Sequence, residues 1–205
     1  ATSQEQCGTI WTICYSGINR ACHVLENVDN VPGMSDASKA LYKAEATVLK
    51  AFYYNILWKF WGNVPYYDVN LTAPYIAPQL NADEVYENIV TRLEEAFEMD
   101  ALPMKAAAGN EGRVTKAMAY MLYAETVMYQ NDESRYSAAL DCMDEIINSG
   151  QFSLVPDFAS IWEESGEWGP ESIWEINYIS EGAARSWGSP INSGGSVYPM
   201  LTGVP

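Results

Sequence analysis

The sequence predicts a mainly α chain: an array of antiparallel helical pairs, then an irregular, loop-rich C-terminal part carrying one short strand. Three observations predict it. Apolar residues recur at three-four spacing in five successive stretches, most of them bounded by a capping residue or a Gly/Pro break. One stretch, Ala44–Tyr67 (AEATVLKAFYYNILWKFWGNVPYY), ends in a crowd of aromatic rings suited to a packed environment. After Gly150 the composition shifts: eight of the fourteen glycines, five of the ten prolines and four of the seven tryptophans lie in residues 150–205.

The first helix covers residues 8–28, with Ile10, Trp11, Cys14, Ile18, Cys22 and Leu25 along one stripe. Pro32 and Gly33 break it. Ser35 or Asp36 caps the second helix, which runs to Trp61. Leu41, Ala44, Val48, Ala51, Phe52 and Ile56 line one face of it. Trp58, Phe60 and Trp61 crowd its last turn, so that end needs partner surface on more than one side, and all three rings are expected to anchor the array. Gly62 can take the left-handed conformation that closes a helix, and Pro65 forbids resumption. Residues 63–80 form a loop holding Pro65, Pro74 and Pro78.

Asn81 or Asp83 caps a third helix through about Met99. It buries Val85, Ile89, Leu93 and Ala96 or Phe97, and presents an acidic outer face of Glu84, Glu87, Glu94, Glu95 and Glu98. A loop over 102–112 leads to Thr115, which caps a fourth helix through about Tyr129. A fifth runs from about Glu133 to Ser149 and stops at Gly150. Ala117, Ala119 and Ala124 let a neighbour approach closely. Tyr136, Ala139 and Leu140 match the Y-x-x-A-L of a second tetratricopeptide helix, in a pair of about 34 residues. The array is therefore tetratricopeptide-like, with degenerate repeats. Ser172–Ile179 (SIWEINYI) alternates apolar and polar residues and is rich in β-formers, so it reads as the one strand. The boundary falls at residue 155, with a helical scaffold over 1–155 and a loop-rich region over 156–205.

Composition excludes several classes. Nearly half of the 205 residues are apolar and only 19% are charged, which is ample for a packed core. A net charge of -16 repels phosphate backbones, so no nucleic acid is expected as a partner, and an anionic membrane surface is disfavoured likewise. No stretch offers the ~18 apolar residues that a membrane span needs. Cys7 and Cys14 lie about 10 Å apart along one helix, beyond disulfide reach, and Cys14 and Cys22 fail the same test. Only a non-local bond to Cys142 is left, and all four cysteines are expected to be small buried apolar residues. There is no C-x-x-C, and His23 is the only histidine, so neither a metal nor another cofactor is expected. A Ser-His-Asp arrangement would depend wholly on His23, which reads as a partly exposed helix residue. The carboxylates lie mainly on solvated helix faces, and catalysis is not expected.

Set in order, these segments resemble the SusD/RagB-like outer-membrane lipoproteins. Ala44-Glu45-Ala46, Leu49-Lys50-Ala51, Tyr53, Leu57, Phe60, Gly62, Val64 and Pro65 follow that family's pattern AEA-x-x-LRA-x-x-Y-x-x-L-x-x-x-(F/Y)-G-x-(V/I)-P. Tyr86–Met104 resembles its acidic helix ending in Leu-Pro. Gly112–Tyr129 resembles its GR-x-(T/S)-K-x-A-A helix, and Tyr136–Leu154 its segment ending I-I-x-S-G-x-(Y/F)-x-L. Trp11, Tyr15, Ile18 and Asn19 fit an earlier helix, with Arg20 where alanine is commoner.

The resemblance implies a cell-surface lipoprotein of the Bacteroidetes outer membrane. Such a protein binds oligosaccharide, or in some relatives peptide, and delivers it to a SusC-like TonB-dependent transporter without doing chemistry. Family members are longer. The chain is thus expected to be a central piece, its lipid anchor and much of the ligand-binding half lying outside it. Cys7 follows a polar run and is no lipobox cysteine. Residues 156–205 would begin the ligand-binding region. Sugars stack their C–H faces on aromatic rings and bond their hydroxyls to amides and carboxylates. Trp168, between Gly166 and Gly169, and Trp187, between Arg185 and Gly188, are the candidate stacking platforms, with Tyr198 and Asn192 beside them. The competing reading has each tryptophan filling a hole under its loop. Trp11, Trp58, Trp162 and Trp174 are expected in core packing. A scaffold of tetratricopeptide type, holding a peptide in a helical groove, is the alternative function.

Overall fold

A computed structural model describes residues 4–177, 191–192 and 195–196. Five α-helices dominate: α1 (Gln4–Asn27), α2 (Asp36–Trp61), α3 (Ala82–Glu98), α4 (Lys116–Gln130) and α5 (Tyr136–Asn148). Between α2 and α3, β1 (Val64–Pro65) pairs antiparallel with β2 (Gln79–Leu80) in the register Val64↔Leu80 and Pro65↔Gln79. The loop expected over 63–80 is therefore pinched at its base. The chain divides into two compact units, Ala1–Trp174 and Glu175–Pro205. Within the second, β3 (Ile191–Asn192) pairs antiparallel with β4 (Gly195–Ser196).

Local chemistry sets the boundaries where the sequence places them. The Ser35 hydroxyl accepts the Ser38 N–H at the start of α2. Asn81 and Glu84 form a reciprocal capping box on α3, with bonds of 3.0 and 2.9 Å. Thr115 accepts the Met118 N–H at 3.1 Å to open α4. Gly62 closes α2 at φ +66°, its N–H returning to the Trp58 carbonyl; a side chain there would be strained.

Helix α2 is the central element, packed on α1 along one side and α3 along the other. That is why buried residues run right round it, from Ala44, Val48 and Ala51 to Tyr54, Leu57 and Trp58. Trp58 sits between Tyr86 and Tyr129, with ring centroids 5.7 and 5.1 Å away. Trp61 makes an edge contact with Trp11 at 5.1 Å. Phe60 does not anchor the array. It lies on the remaining side of the helix and is 57% exposed. In turn α4 is sandwiched between α3 and α5, and Ala117, Ala119 and Ala124 are buried there as close-approach positions.

Three further expectations change. Residues 172–177 form no strand, because no described strand lies alongside to pair with them. The segment is held instead by Trp174, whose indole N–H donates to the Gly112 carbonyl at 3.1 Å while its ring packs edge-on against Phe52. Tyr178 and Ile179 lie outside the described residues. Trp162 is not in the core: it is 76% exposed beside Phe158 on a short 3₁₀ helix, Phe158–Trp162. The acidic face of α3 is only partly solvated. Glu94 accepts the Tyr123 hydroxyl at 3.0 Å, Glu95 pairs with Arg92, and Glu87 pairs with Arg135 at 2.9 Å. Cys14, Cys22 and Cys142 are buried free thiols, as expected.

One polar knot joins α1, α2, α3 and the loop. The Lys50 ammonium is almost fully buried and donates to the Asp68 carboxylate at 2.8 Å and the Asp68 carbonyl at 3.2 Å. Arg92 from α3 reaches the same carboxylate oxygen at 3.2 Å, as does the Tyr66 hydroxyl. The Cys22 thiol of α1 donates to the Asp68 carbonyl. Burial pushes the Asp68 carboxyl up, but Lys50 and Arg92 outweigh it and hold the group below its ordinary range.

Asp68→Ala strands the Lys50 charge, and a loss of about 3 kcal/mol is expected, whereas the double variant Lys50→Met/Asp68→Asn recovers most of it. Because the Asp68 carboxyl is depressed, its contribution is complete above about pH 4 and is lost as pH falls through the folded-state value. Asp68→Asn should therefore flatten the acid limb of the stability curve. Chemical denaturation across pH checks both; an unchanged midpoint for Asp68→Ala at pH 7 contradicts the assignment.

Candidate ligand-binding surfaces

Beyond α5 the chain folds back over the loop before α4. Ser153 N–H donates to Pro170 O at 3.0 Å, Val155 N–H to the Glu171 carboxylate at 3.0 Å, and Lys105 Nζ to Gly169 O at 3.0 Å. The first two bonds close residues 150–174 on themselves, and the Lys105 bond together with the Trp174 indole bond to Gly112 holds that segment against residues 103–115. Trp168 sits at the turn, at φ +55°, a backbone conformation non-glycine residues seldom take outside functional or constrained sites. Its half-buried ring is one wall of a cavity of about 220 Å³, which Trp174, Lys105, Glu111, Arg113 and Ser172 also line.

The cavity wall is preset by its neighbours. Gly112 lies at φ +80°, and a Cβ placed on it would meet the Trp168 ring at 3.4 Å. Arg113 is bidentate to Glu45 of α2, at 2.9 and 2.6 Å, and its guanidinium lies over the Tyr42 ring. Hydrogen bonds from the backbone N–H groups of Glu111 and Gly109 hold the Glu111 carboxyl below its usual range, so it is ionised at neutral pH. The Ser172 hydroxyl is buried without a hydrogen-bond partner. Indole rings, a carboxylate, a cation and an unused hydroxyl around one small cavity suit a ligand with C–H faces and many hydroxyls.

Of the four residues singled out from the sequence, Trp168 is thus brought to a cavity. Asn192 lies in β3, paired with Gly195. Trp187 and Tyr198 lie outside the described residues. Trp174 packs its ring on the core at Phe52, as expected, and also lines the cavity with Trp168. Its signal was the same as that of Trp168, a tryptophan within a few residues of Gly and Pro.

A second surface was not anticipated. A groove of about 1000 Å³ lies along helices α1 and α2. Ile13, Val24, Val31 and Leu49 are among its apolar lining residues, and Arg20, Tyr42, Glu45 and Tyr53 among its polar and aromatic ones. Ile13 and Val24 fall off the buried stripe of α1, which was the available signal. His23 stands at the rim, exposed, with Nδ1 3.2 Å from the Asn70 amide, itself bound to Glu26 and Asn19. That is the partly exposed helix position expected of it.

Comparison with known proteins places these features in context. The profile of a SusD-like family, described as starch-binding and associating with the outer membrane, matches residues 1–127. The surface glycan-binding protein A of Bacteroides thetaiotaomicron, solved with laminarihexaose, is 51% identical with a TM-score of 0.82; the match covers 93% of this chain and 39% of that one. The surface glycan-binding protein A of Bacteroides uniformis is also 51% identical, with a TM-score of 0.81 over 83% of this chain and 38% of that one. A SusD-like protein of Formosa agariphila is 25% identical over 173 residues, 83% of this chain and 32% of its own length. The chain spans less than two-fifths of each of these relatives.

Because Gly112 has positive φ and backs the Trp168 ring, Gly112→Ala is expected to cost about 1–2 kcal/mol and to loosen that ring. Acrylamide quenching of tryptophan fluorescence should rise, and the rise should vanish in a Trp168→Phe background. Unaltered stability and quenching would remove Gly112 from the support of the cavity.

Proposed function

The chain belongs to the SusD-like family, and from that membership we propose that the protein binds oligosaccharide at the cell surface and passes it to a SusC-like, TonB-dependent outer-membrane transporter. It carries out no chemistry of its own. The observation that supports this most is the 51% identity, over 93% of the chain, to a surface glycan-binding protein solved with laminarihexaose. The helical array over 1–155 acts as scaffold, and the ligand-binding region starts at 156. Attachment to the outer membrane is through a lipid anchor.

Chemistry around the Trp168 cavity fits a sugar. Trp168 offers a stacking face, Ser172 a free hydroxyl, and Glu111 and Arg113 a charged pair of hydrogen-bonding partners. Trp187, Tyr198 and Asn192 are further candidate sugar contacts. A second reading, the peptide-holding scaffold, is favoured by the aliphatic side chains of Ile13, Val24, Val31 and Leu49 that line the α1–α2 groove.

Titration calorimetry of the full-length protein with laminarihexaose separates the two. Saturable binding is expected, and Trp168→Ala or Trp187→Ala should weaken it about five- to tenfold, the equivalent of one lost stacking contact. Wild-type affinity in both variants would displace the site. Absence of binding to laminarihexaose and other glycans, together with tight capture of a peptide, would support the scaffold instead.

A further inference from the structure

The Trp168 cavity differs from the α1–α2 groove in size and in how it is bounded. At about 220 Å³ it falls below the roughly 300–1000 Å³ of sites that enclose a drug-sized ligand. A disaccharide is a ligand of that size, and a single pyranose is smaller. Two hydrogen bonds also tie one wall to the other: Lys105 Nζ to Gly169 O at 3.0 Å, and the Trp174 indole N–H to Gly112 O at 3.1 Å. Walls stitched in this way bound a pocket rather than an open trough. A sugar chain cannot be laid through it, so a residue enters only if it is joined to the rest of the glycan through one linkage. Chain ends and single-residue branches meet that condition.

The charges around the cavity restrict the ligand further. Arg113 is committed to Glu45 at 2.9 and 2.6 Å. Lys105, besides its bond to Gly169, lies 4.8 Å from the centre of the Phe152 ring. Both cations thus already have partners, and an incoming carboxylate or sulfate would have to compete with them. The Glu111 carboxylate, kept ionised by backbone N–H groups, can accept a hydrogen bond from a sugar hydroxyl but repels an acidic sugar. The net charge of -16 adds to that repulsion. Ser172 supplies a buried hydroxyl for which the protein has no partner.

On the glycan-binding reading above, we infer that the Trp168 cavity receives one uncharged pyranose, the end or a single-residue branch of a neutral glycan. Interior residues of a chain and acidic sugars are excluded from it, the first by the tied walls and the second by Glu111.

Fluorine NMR of the full-length protein labelled with 5-fluorotryptophan tests this, with Trp168→Phe and Trp174→Phe assigning the two resonances. Methyl β-glucoside, a single neutral ring, is expected to shift both saturably, in the millimolar range of one small contact. Laminarihexaose should shift them in the same direction. A cyclic glucan of the same linkage has no ends and should leave them in place. At low salt, methyl β-glucuronide should bind at least about threefold more weakly than the glucoside, and Glu111→Gln should close most of that gap. Equal shifts with the cyclic glucan overturn the proposal, because interior residues would then enter. So does a Trp168 resonance that answers to laminarihexaose but not to methyl glucoside, which would mean that a run of residues is required. Equal affinity for glucuronide and glucoside in the wild type overturns the exclusion of acidic sugars. Laminarihexaose that binds by calorimetry without moving either resonance overturns this inference and leaves the glycan-binding reading standing. No binding by calorimetry removes both.

Discussion

The fold turns on a buried ammonium. Lys50 lies on the most enclosed helix of the array, where an unpaired charge would be far too costly to hold, and Asp68 is the group that makes it tolerable. That requirement fixes more than one pair. Asp68 belongs to a loop with three prolines that cannot be ordered by a continuous ladder. Drawing its carboxylate onto Lys50 and Arg92 places Tyr66, Tyr67 and Pro65 against α1 and α2. The Tyr15 hydroxyl then reaches the Pro65 carbonyl at 2.7 Å, and Tyr54 exchanges hydrogen bonds with the backbone of Tyr67. With α1 tied to the same loop through Cys22, three helices and their connection share one electrostatic centre. An aliphatic residue at position 50 would pack as well, but it would leave the loop without this registration.

A second ion pair carries that order to the cavity. Glu45 and Arg113 lie 68 residues apart, within two of the segments that carry the family resemblance. Their bidentate pairing fastens the start of α4 to the middle of α2, and Tyr42 stacks beneath the guanidinium. Gly112, the preceding residue, accepts the Trp174 indole N–H and lies against the Trp168 ring. The scaffold motif and the cavity wall are thus consecutive residues, so the aromatic wall inherits the rigidity of the array. That is the arrangement a stacking platform needs: a ring held in place before the ligand arrives, with little ordering left for binding to supply.

Helices, caps and the burial of α2 were readable from the sequence because they depend on neighbours three or four residues away. Ser35, Asn81, Thr115 and Gly62 act within one turn, and no tertiary context overrides them. The two misplaced aromatics, Phe60 and Trp162, show the opposite case. Phe60 and Trp61 are adjacent, yet one is exposed and the other meets Trp11; which of them points at α1 follows from the helix rotation that Lys50 and Asp68 set. Trp162 and Trp174 both sit amid apolar residues, but only Trp174 finds a ring, Phe52, and a carbonyl, Gly112, within reach. Ser172–Ile179 has the alternation of a strand, and alternation alone cannot supply a pairing partner. The α1–α2 groove was hidden for a similar reason, being the space between two helices rather than a property of either.

The array is unevenly held along its length. Ten residues of α2 are buried, among them Tyr54, Leu57 and Trp58, and the polar knot lies beside them. α5 buries three, Ala139, Cys142 and Ile146, of which only Ile146 is a large aliphatic. A fully buried side chain of that size contributes about 1.5–3 kcal/mol, and a helix of 13 residues is marginal without tertiary contacts. Polar contacts supplement the seam: Tyr120 donates to Glu145 at 2.7 Å, and Arg135 binds Glu87 and Asp132. These tie down the flanks of α5, on which Leu140 and Ile147 stay exposed while Met143 packs against the core.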